Sequence, residues 1–147
     1  RGMDGTEVMM KKVYEKALMM GIEDLLERDV SGLSLGEMRR ALIARALITE
    51  PRMLILDEPM TGLDIVMASK FRRMFDILMD HGVNILMITH DLRDIPERID
   101  RVILLKDGRI HADGPKTELL NSVPISEVYG EPIKVECHNG IYSMSLE

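Results

Sequence analysis

The apolar run Met53-Leu54-Ile55-Leu56 stops abruptly at Asp57-Glu58-Pro59, and no other feature of the chain constrains its fold as tightly. A short β-branched and aliphatic run of this length, ended by two carboxylates and a proline, reads as a buried parallel strand that delivers acids to its carboxyl end. Open α/β sheets bind ligands in the crevice beyond the C-terminal ends of their strands, so Asp57 and Glu58 are expected at a nucleotide-type site. Paired acids serve two purposes there. One helps hold a hydrated Mg²⁺, and the second can orient or deprotonate an attacking water.

Upstream, Leu33-Ser34-Leu35-Gly36-Glu37 leads into Met38, Leu42, Ile43, Ala46 and Leu47, an apolar stripe at helical spacing. Ser34 then stands at a helix N-terminus, with Gly36 expected to leave the backbone uncovered. Free N–H groups and the positive end of the helix dipole make that place suited to an anion. The helix is expected to run to Thr49 and close at Glu50-Pro51, because proline disfavours a helical residue before it.

Downstream, Thr61-Gly62-Leu63-Asp64 precedes a helix that Asp64 is placed to cap, with a buried stripe of Met67, Phe71, Met74, Phe75 and Leu78. His81-Gly82 ends it, and His81 reads as a cation near the helix C-terminus. Residues 83–88 are a second apolar strand, so the strand-helix-strand order implies a right-handed parallel crossover. Thr89-His90-Asp91 follows at that strand's carboxyl end, on the same rim as Glu58.

With these segments on the page, the chain resembles the nucleotide-binding domain of ABC ATPases. Leu33 to Glu37 resembles the ABC signature, Leu54 to Pro59 the Walker B strand with its following glutamate, Thr61 to Asp64 the D-loop, and Ile88 to Asp91 the switch-histidine loop. Each match is weak by itself; their order and gaps make the set specific. The implied fold is α/β, an incomplete P-loop NTPase-like parallel-sheet core with the end of a helical subdomain and a small C-terminal β-hairpin. The implied divisions are 1–32, 33–122 and 123–147. The resemblance implies ATP and Mg²⁺ as cofactors, Asp57 on the metal, and Glu58 and His90 as catalytic residues. It also implies that Ser34, Leu35, Gly36 and Glu37 close over nucleotide held by an opposing subunit of a head-to-tail dimer, with Asp64 between the two. Leu35 stands where the family has a small residue, and Glu37 where glutamine is commoner.

The 147 residues carry 46% apolar content, 13 methionines and no tryptophan, which suits a core filled by flexible aliphatic side chains better than soft-metal ligation. A net charge of −6 with acids and bases interspersed argues against a nucleic-acid surface. The lone Cys137 favours a reducing compartment. No apolar run approaches the roughly 20 residues of a membrane span, so attachment to a membrane is expected through a permease partner, at its cytoplasmic face.

The N-terminal segment is expected to hold a helix over residues 7–20 capped by Thr6 and ended by Gly21, then a short helix over 23–27 and a loop at 29–32. Residues 101–106 read as a strand, Asp107-Gly108 as a hairpin turn, and 109–112 as the return strand. Gly114-Pro115-Lys116-Thr117 is no phosphate loop: Pro115 interrupts it and Gly108 lies one residue too far upstream. Pro115 reads as the first turn of a helix to about residue 120. One or two helical turns at 125–129 and a hairpin folded at His138-Asn139-Gly140 complete the chain, with Cys137 and His138 too few for a metal site.

No Walker A sequence occurs in these residues. The chain is therefore expected to be the C-terminal part of an ATP-hydrolysing importer subunit, of metal-chelate or oxyanion type, and inactive alone. The alternatives are a soluble ABC-type ATPase of DNA repair or translation, and a non-catalytic interaction fragment.

Overall fold

A computed structural model of the chain describes residues 4–147. Its first helix, α1 (Gly5–Met19), starts where Asp4 accepts the amides of Thr6 and Glu7 while Glu7 reaches back to the Asp4 amide. Asp4, and not Thr6, is thus the cap, because its carboxylate completes a reciprocal capping box with an acid three residues on. Gly21, at φ +62°, ends the helix as expected. The guanidinium of Arg40 then takes up the carbonyls of Met20 and Gly21 at 3.3 and 2.9 Å, tying this end to the following helix. The short helix expected over 23–27 is only a 3₁₀ turn, Glu23–Leu25, and Asp29 caps a second such turn, Val30–Gly32.

Helix α2 (Leu35–Leu47) stops two residues short of Thr49, with Glu50 turned to φ +52° before Pro51. Its buried face is Gly36, Ile43, Ala44 and Leu47, while Leu42 and Ala46 of the expected stripe point outward. Arg40, at helical spacing from Gly36, Ile43, Ala44 and Leu47, lies on the same side and meets the end of α1.

Strand β1 (Met53–Asp57), helix α3 (Ile65–Asp80) and strand β2 (Asn84–Ile88) form the strand-helix-strand unit. The strands run parallel, with Met53 opposite Asn84 and Asp57 opposite Ile88. Asp64 caps α3 by accepting the amides of Val66 and Met67. Phe71, Met74, Phe75 and Leu78 are buried as expected, the two phenylalanine rings meeting edge to face at 6.0 Å. His81 closes the helix, its Nδ1 2.7 Å from the Ile77 carbonyl. α1, α2, α3 and the inward residues Leu54, Leu56, Ile85 and Met87 share one core.

The strands differ from expectation in one respect. Only alternate residues of β1 face that core, and Met53, Ile55, Leu86 and Ile88 are exposed. An apolar run on a parallel strand suggests cover on both faces, but α3 covers one, and no element among the described residues lies over the other.

Strands β3 (Arg101–Lys106) and β4 (Arg109–Pro115) are an antiparallel ribbon separate from β1–β2, with a bulge at Leu104/Leu105. Asp107 and Gly108 both take positive φ, the geometry of a two-residue hairpin turn that follows the strand twist. β4 runs three residues past Ala112. Pro115 consequently precedes rather than opens the short helix α4 (Lys116–Leu119). α5 (Ser122–Tyr129) starts earlier than expected, and β5 (Ile133–His138) pairs with β6 (Ile141–Leu146) about an Asn139-Gly140 turn. Leu92, Leu104, Leu120, Ile125 and Ile133 form a second core beneath these hairpins. The first core ends in the chain with β2 and the second begins at Leu92. No described helix is long and apolar enough to cross a membrane.

Candidate functional site

The ladder of β1 and β2 ends with Asp57 beside Ile88, and the backbone then turns sharply. Glu58 takes φ +47°, a left-handed conformation that costs a residue with a Cβ of order 1–3 kcal/mol and that clusters at functional sites. Its amide still donates to the Ile88 carbonyl at 2.9 Å, so the residue is carried on the end of the sheet. The turn that follows is closed by Thr61, whose amide donates to the Glu58 carbonyl at 3.3 Å and whose hydroxyl donates to Glu58 Oε2 at 3.2 Å. From the other side, Arg39 of α2 donates to the Pro59 carbonyl at 2.8 Å.

Glu58 Oε1 lies 2.7 Å from His90 Nδ1. The hydrogen bond to Glu58, then its charge, raises the His90 pKa above the ordinary imidazole value, with Asp91 and Asp94 adding to the field. With Nδ1 donating to the carboxylate, Nε2 is left to meet another group, and in the protonated ring it is a donor. The His90 loop is held in turn. Asp91 caps a 3₁₀ turn, Leu92–Asp94, and binds the Arg93 guanidinium, which holds its carboxyl below the usual range. Thr89 donates to Asp94 at 3.0 Å, while burial pushes the Asp94 carboxyl up. Arg72 of α3 donates to the Arg93 carbonyl at 2.8 Å, and Tyr129 of α5 donates to the His90 carbonyl at 3.4 Å. A groove of about 400 Å³ runs along this loop, lined among others by Thr61, Leu63, Arg72, His90, Arg93 and Ile141.

At the head of α2, Ser34 Oγ accepts the Glu37 amide at 3.2 Å and Glu37 Oε2 accepts the Ser34 amide at 2.8 Å. The bond from the Ser34 backbone, then that to its side chain, depresses the Glu37 pKa. This capping box satisfies the Ser34 and Glu37 amides reciprocally. The first helical amides, at Leu35 and Gly36, have no intrahelical partner. Gly36 itself is not an uncovered stretch of backbone. It is buried, and a Cβ built on it would stand 2.8 Å from Met67 Cε and 3.8 Å from Leu63 Cδ2. Its smallness serves the packing of α2 on the segment after β1. Leu35 is half-exposed and lies over Gly62, its Cδ2 3.3 Å from where a Cβ of that glycine would be.

The structure thus brings Glu58 and His90 into contact and sets Asp57 beside them in the chain. Asp64 is engaged as a helix cap near the same turn. Ser34 and Glu37 bind each other. Among the described residues no group of three or more His, Cys, Asp or Glu is placed to hold a metal ion. An exposed carboxylate such as Asp57 suits a Mg²⁺ that keeps most of its waters and takes its remaining ligands from phosphates. Arg39, Arg72 and Tyr129 escaped the sequence reading, because none belongs to a motif. Their partners are backbone carbonyls 20, 21 and 39 positions away, and backbone carbonyls leave no signature in a sequence.

The ABC transporter family profile matches residues 5–61. The uncharacterized ABC transporter ATP-binding protein YlmA of Bacillus subtilis (strain 168) is 37% identical over 136 residues, covering 88% of this chain and 51% of that protein. The zinc import ATP-binding protein ZnuC of Pseudomonas entomophila (strain L48) is 34% identical over 116 residues, covering 78% and 45%. In fold, a chain of an ABC transporter solved in an inward-facing conformation superposes with a TM-score of 0.82 at 17% identity, over 99% of this chain and 58% of that one. The chain spans about half the length of the curated relatives it matches.

Proposed function

The chain belongs to the ABC transporter ATP-binding family, and from that premise we propose that it supplies the acid, histidine and signature elements of an ATP-hydrolysing subunit that drives a transporter. The observation that carries the reading is the contact of Glu58 with His90 at the carboxyl end of the β1–β2 pair. Glu58 is the base or orienting group for the attacking water. Its neighbour on Oε1 keeps the carboxylate aimed, and the free Nε2 of His90 donates to a phosphate oxygen of the nucleotide. Asp57 would help hold a Mg²⁺, which would supply charge neutralisation at the phosphates.

The head of α2, with Ser34, Leu35, Gly36 and Glu37 in its first turn, forms the surface that closes over nucleotide bound to a second, head-to-tail subunit. Glu37 holds Ser34 in place for that contact, and Asp64 anchors the turn between the two halves of the site. In domain terms, residues 1–32 end a helical subdomain, 33–122 belong to the catalytic core and 123–147 form an appendage. The partner in the membrane is a permease, with the subunit on its cytoplasmic side. The finer reading is an importer of metal-chelate or oxyanion type; the zinc-import relative supports import. The 147-residue chain is expected to be inactive alone, since the sequence holds no loop to cradle the β- and γ-phosphates.

The test is made in a subunit that contains this chain together with a phosphate loop. Glu58→Gln is expected to reduce turnover by a factor on the order of 10³, as loss of a water-positioning group does, while ATP affinity measured by calorimetry stays within a factor of about two. Turnover at the parental rate in that variant overturns the assignment of Glu58.

A further inference from the structure

The left-handed backbone of Glu58 has to be held by its surroundings, since nothing in a glutamate favours it. On the sheet side the hold is the Glu58 amide on the Ile88 carbonyl and the Thr61 amide and hydroxyl on Glu58. Pro59 has no N–H to add to these bonds, and Met60 beyond it is held by burial in the first core. A further polar anchor is the Pro59 carbonyl, taken by the half-buried Arg39 of α2 at 2.8 Å. Arg39 lies five positions beyond Ser34, on the helix whose first turn carries the capping box. That same first turn rests on the segment after Glu58 through Gly36 against Leu63 and Met67, and Leu35 against Gly62. The signature helix therefore grips the turn that carries the acid at two places.

We infer that Arg39 is a positioning residue: its guanidinium on the Pro59 carbonyl fixes the left-handed turn and ties the pairing of Glu58 with His90 to the placement of the signature helix. The inference rests on the reading of Glu58 and His90 given above. A shift of α2 on engaging nucleotide is passed to the acid through one hydrogen bond, without any contact between Arg39 and the nucleotide.

The protein contains four histidines, so the imidazole of His90 is followed by NMR with the others as internal references. The charged groups around it are Glu58, Asp91 and Asp94, with the cations Arg72 and Arg93 lining the same groove. The variants are Glu58→Gln, Arg39→Met, which keeps the apolar stem without the donors, and Arg39→Lys, which restores a donor. Glu58→Gln should lower the titration midpoint of His90. Arg39→Met should move that midpoint at least halfway to the Glu58→Gln value and leave His111, paired with Glu127, unmoved. Arg39→Lys should restore it. An unmoved His90 in Arg39→Met, while Glu58→Gln shifts it, overturns the role of Arg39. A shift that His111 shares, or one that lysine does not reverse, shows general loosening of the fold and also overturns it. If Glu58→Gln itself leaves His90 unmoved, the acid–histidine pair is refuted instead, which is a failure of the functional reading and is recognised as such.

Discussion

The half of the molecule built on β1 and β2 and the half built on the hairpins β3–β4 and β5–β6 are held together by different means. In the hairpin half, strands adjacent in sequence pair across two-residue turns, Asp107-Gly108 and Asn139-Gly140, and the short helices α4 and α5 close over Leu104, Leu120, Ile125 and Ile133. In the other half a sixteen-residue helix must be crossed before β1 finds β2, and the candidate site depends on pairs 20 and 32 positions apart, Arg39 with Pro59 and Glu58 with His90. The comparison teaches that the candidate site lies where closing the chain costs most loop entropy, while the locally folded half carries no motif. Among the described residues that half approaches the candidate site at the His90 loop, through Tyr129 and Ile141.

The largest expected effect separates the two halves directly. Leu78 is fully buried in the first core and Leu120 is 1% exposed in the second. Truncating either to alanine should cost about 2–5 kcal/mol in urea denaturation. Hydrogen exchange should then accelerate first in the β1–β2 ladder for Leu78→Ala and first in the β5–β6 ladder for Leu120→Ala. Equal acceleration in both ladders would show one cooperative unit and break the comparison.

A smaller effect tests the head of α2. Ser34→Ala removes the acceptor of the Glu37 amide and should cost about 1 kcal/mol, with Ser34→Asp recovering most of it because a carboxylate also caps. A neutral alanine variant would mean that Glu37 alone secures the first turn. The smallest effect is electrostatic. His90 lies largely in solvent, and its folded pKa is raised by Glu58. Its contribution is therefore complete below the unfolded value of about 6.5 and is lost as pH rises through the folded one. Asp91, depressed by Arg93, behaves in the opposite sense: its contribution is present above the unfolded carboxylate value and lost as pH falls through the folded one. Urea midpoints of the parent and of His90→Gln should differ more at about pH 5.5 than at about pH 8.5. A difference that grows with pH would reverse the sign and remove the ion pair.

Much of the fold could be read from local chemistry. Asp64 before an amphipathic stripe, Gly21 after a helix, Asp-Gly between two strand-like runs and the acids after Leu56 each act over a few residues, and each is found where its residue types place it. Competition between neighbours was harder to read. Asp4 outranks Thr6 as a cap because Glu7 can answer it, and the buried face of α2 differs from the expected stripe and lies on the side where Arg40 meets the end of α1. The motifs in sequence order established the family and brought Asp57, Glu58, His90, Ser34, Leu35, Gly36, Glu37 and Asp64 forward as candidates.

The tertiary structure decided how those candidates are held. Gly36 is buried under Met67, Ser34 and Glu37 cap each other, Glu58 stands in a left-handed turn, and among the described residues no element covers one face of β1–β2. Sequence patterns encode turns, caps and faces, because these depend on side chains a few residues apart. A hydrogen bond from an arginine to a backbone carbonyl twenty positions away, or the presence of a second layer over a sheet, depends on where whole elements come to rest, and the residue types at either end do not record it.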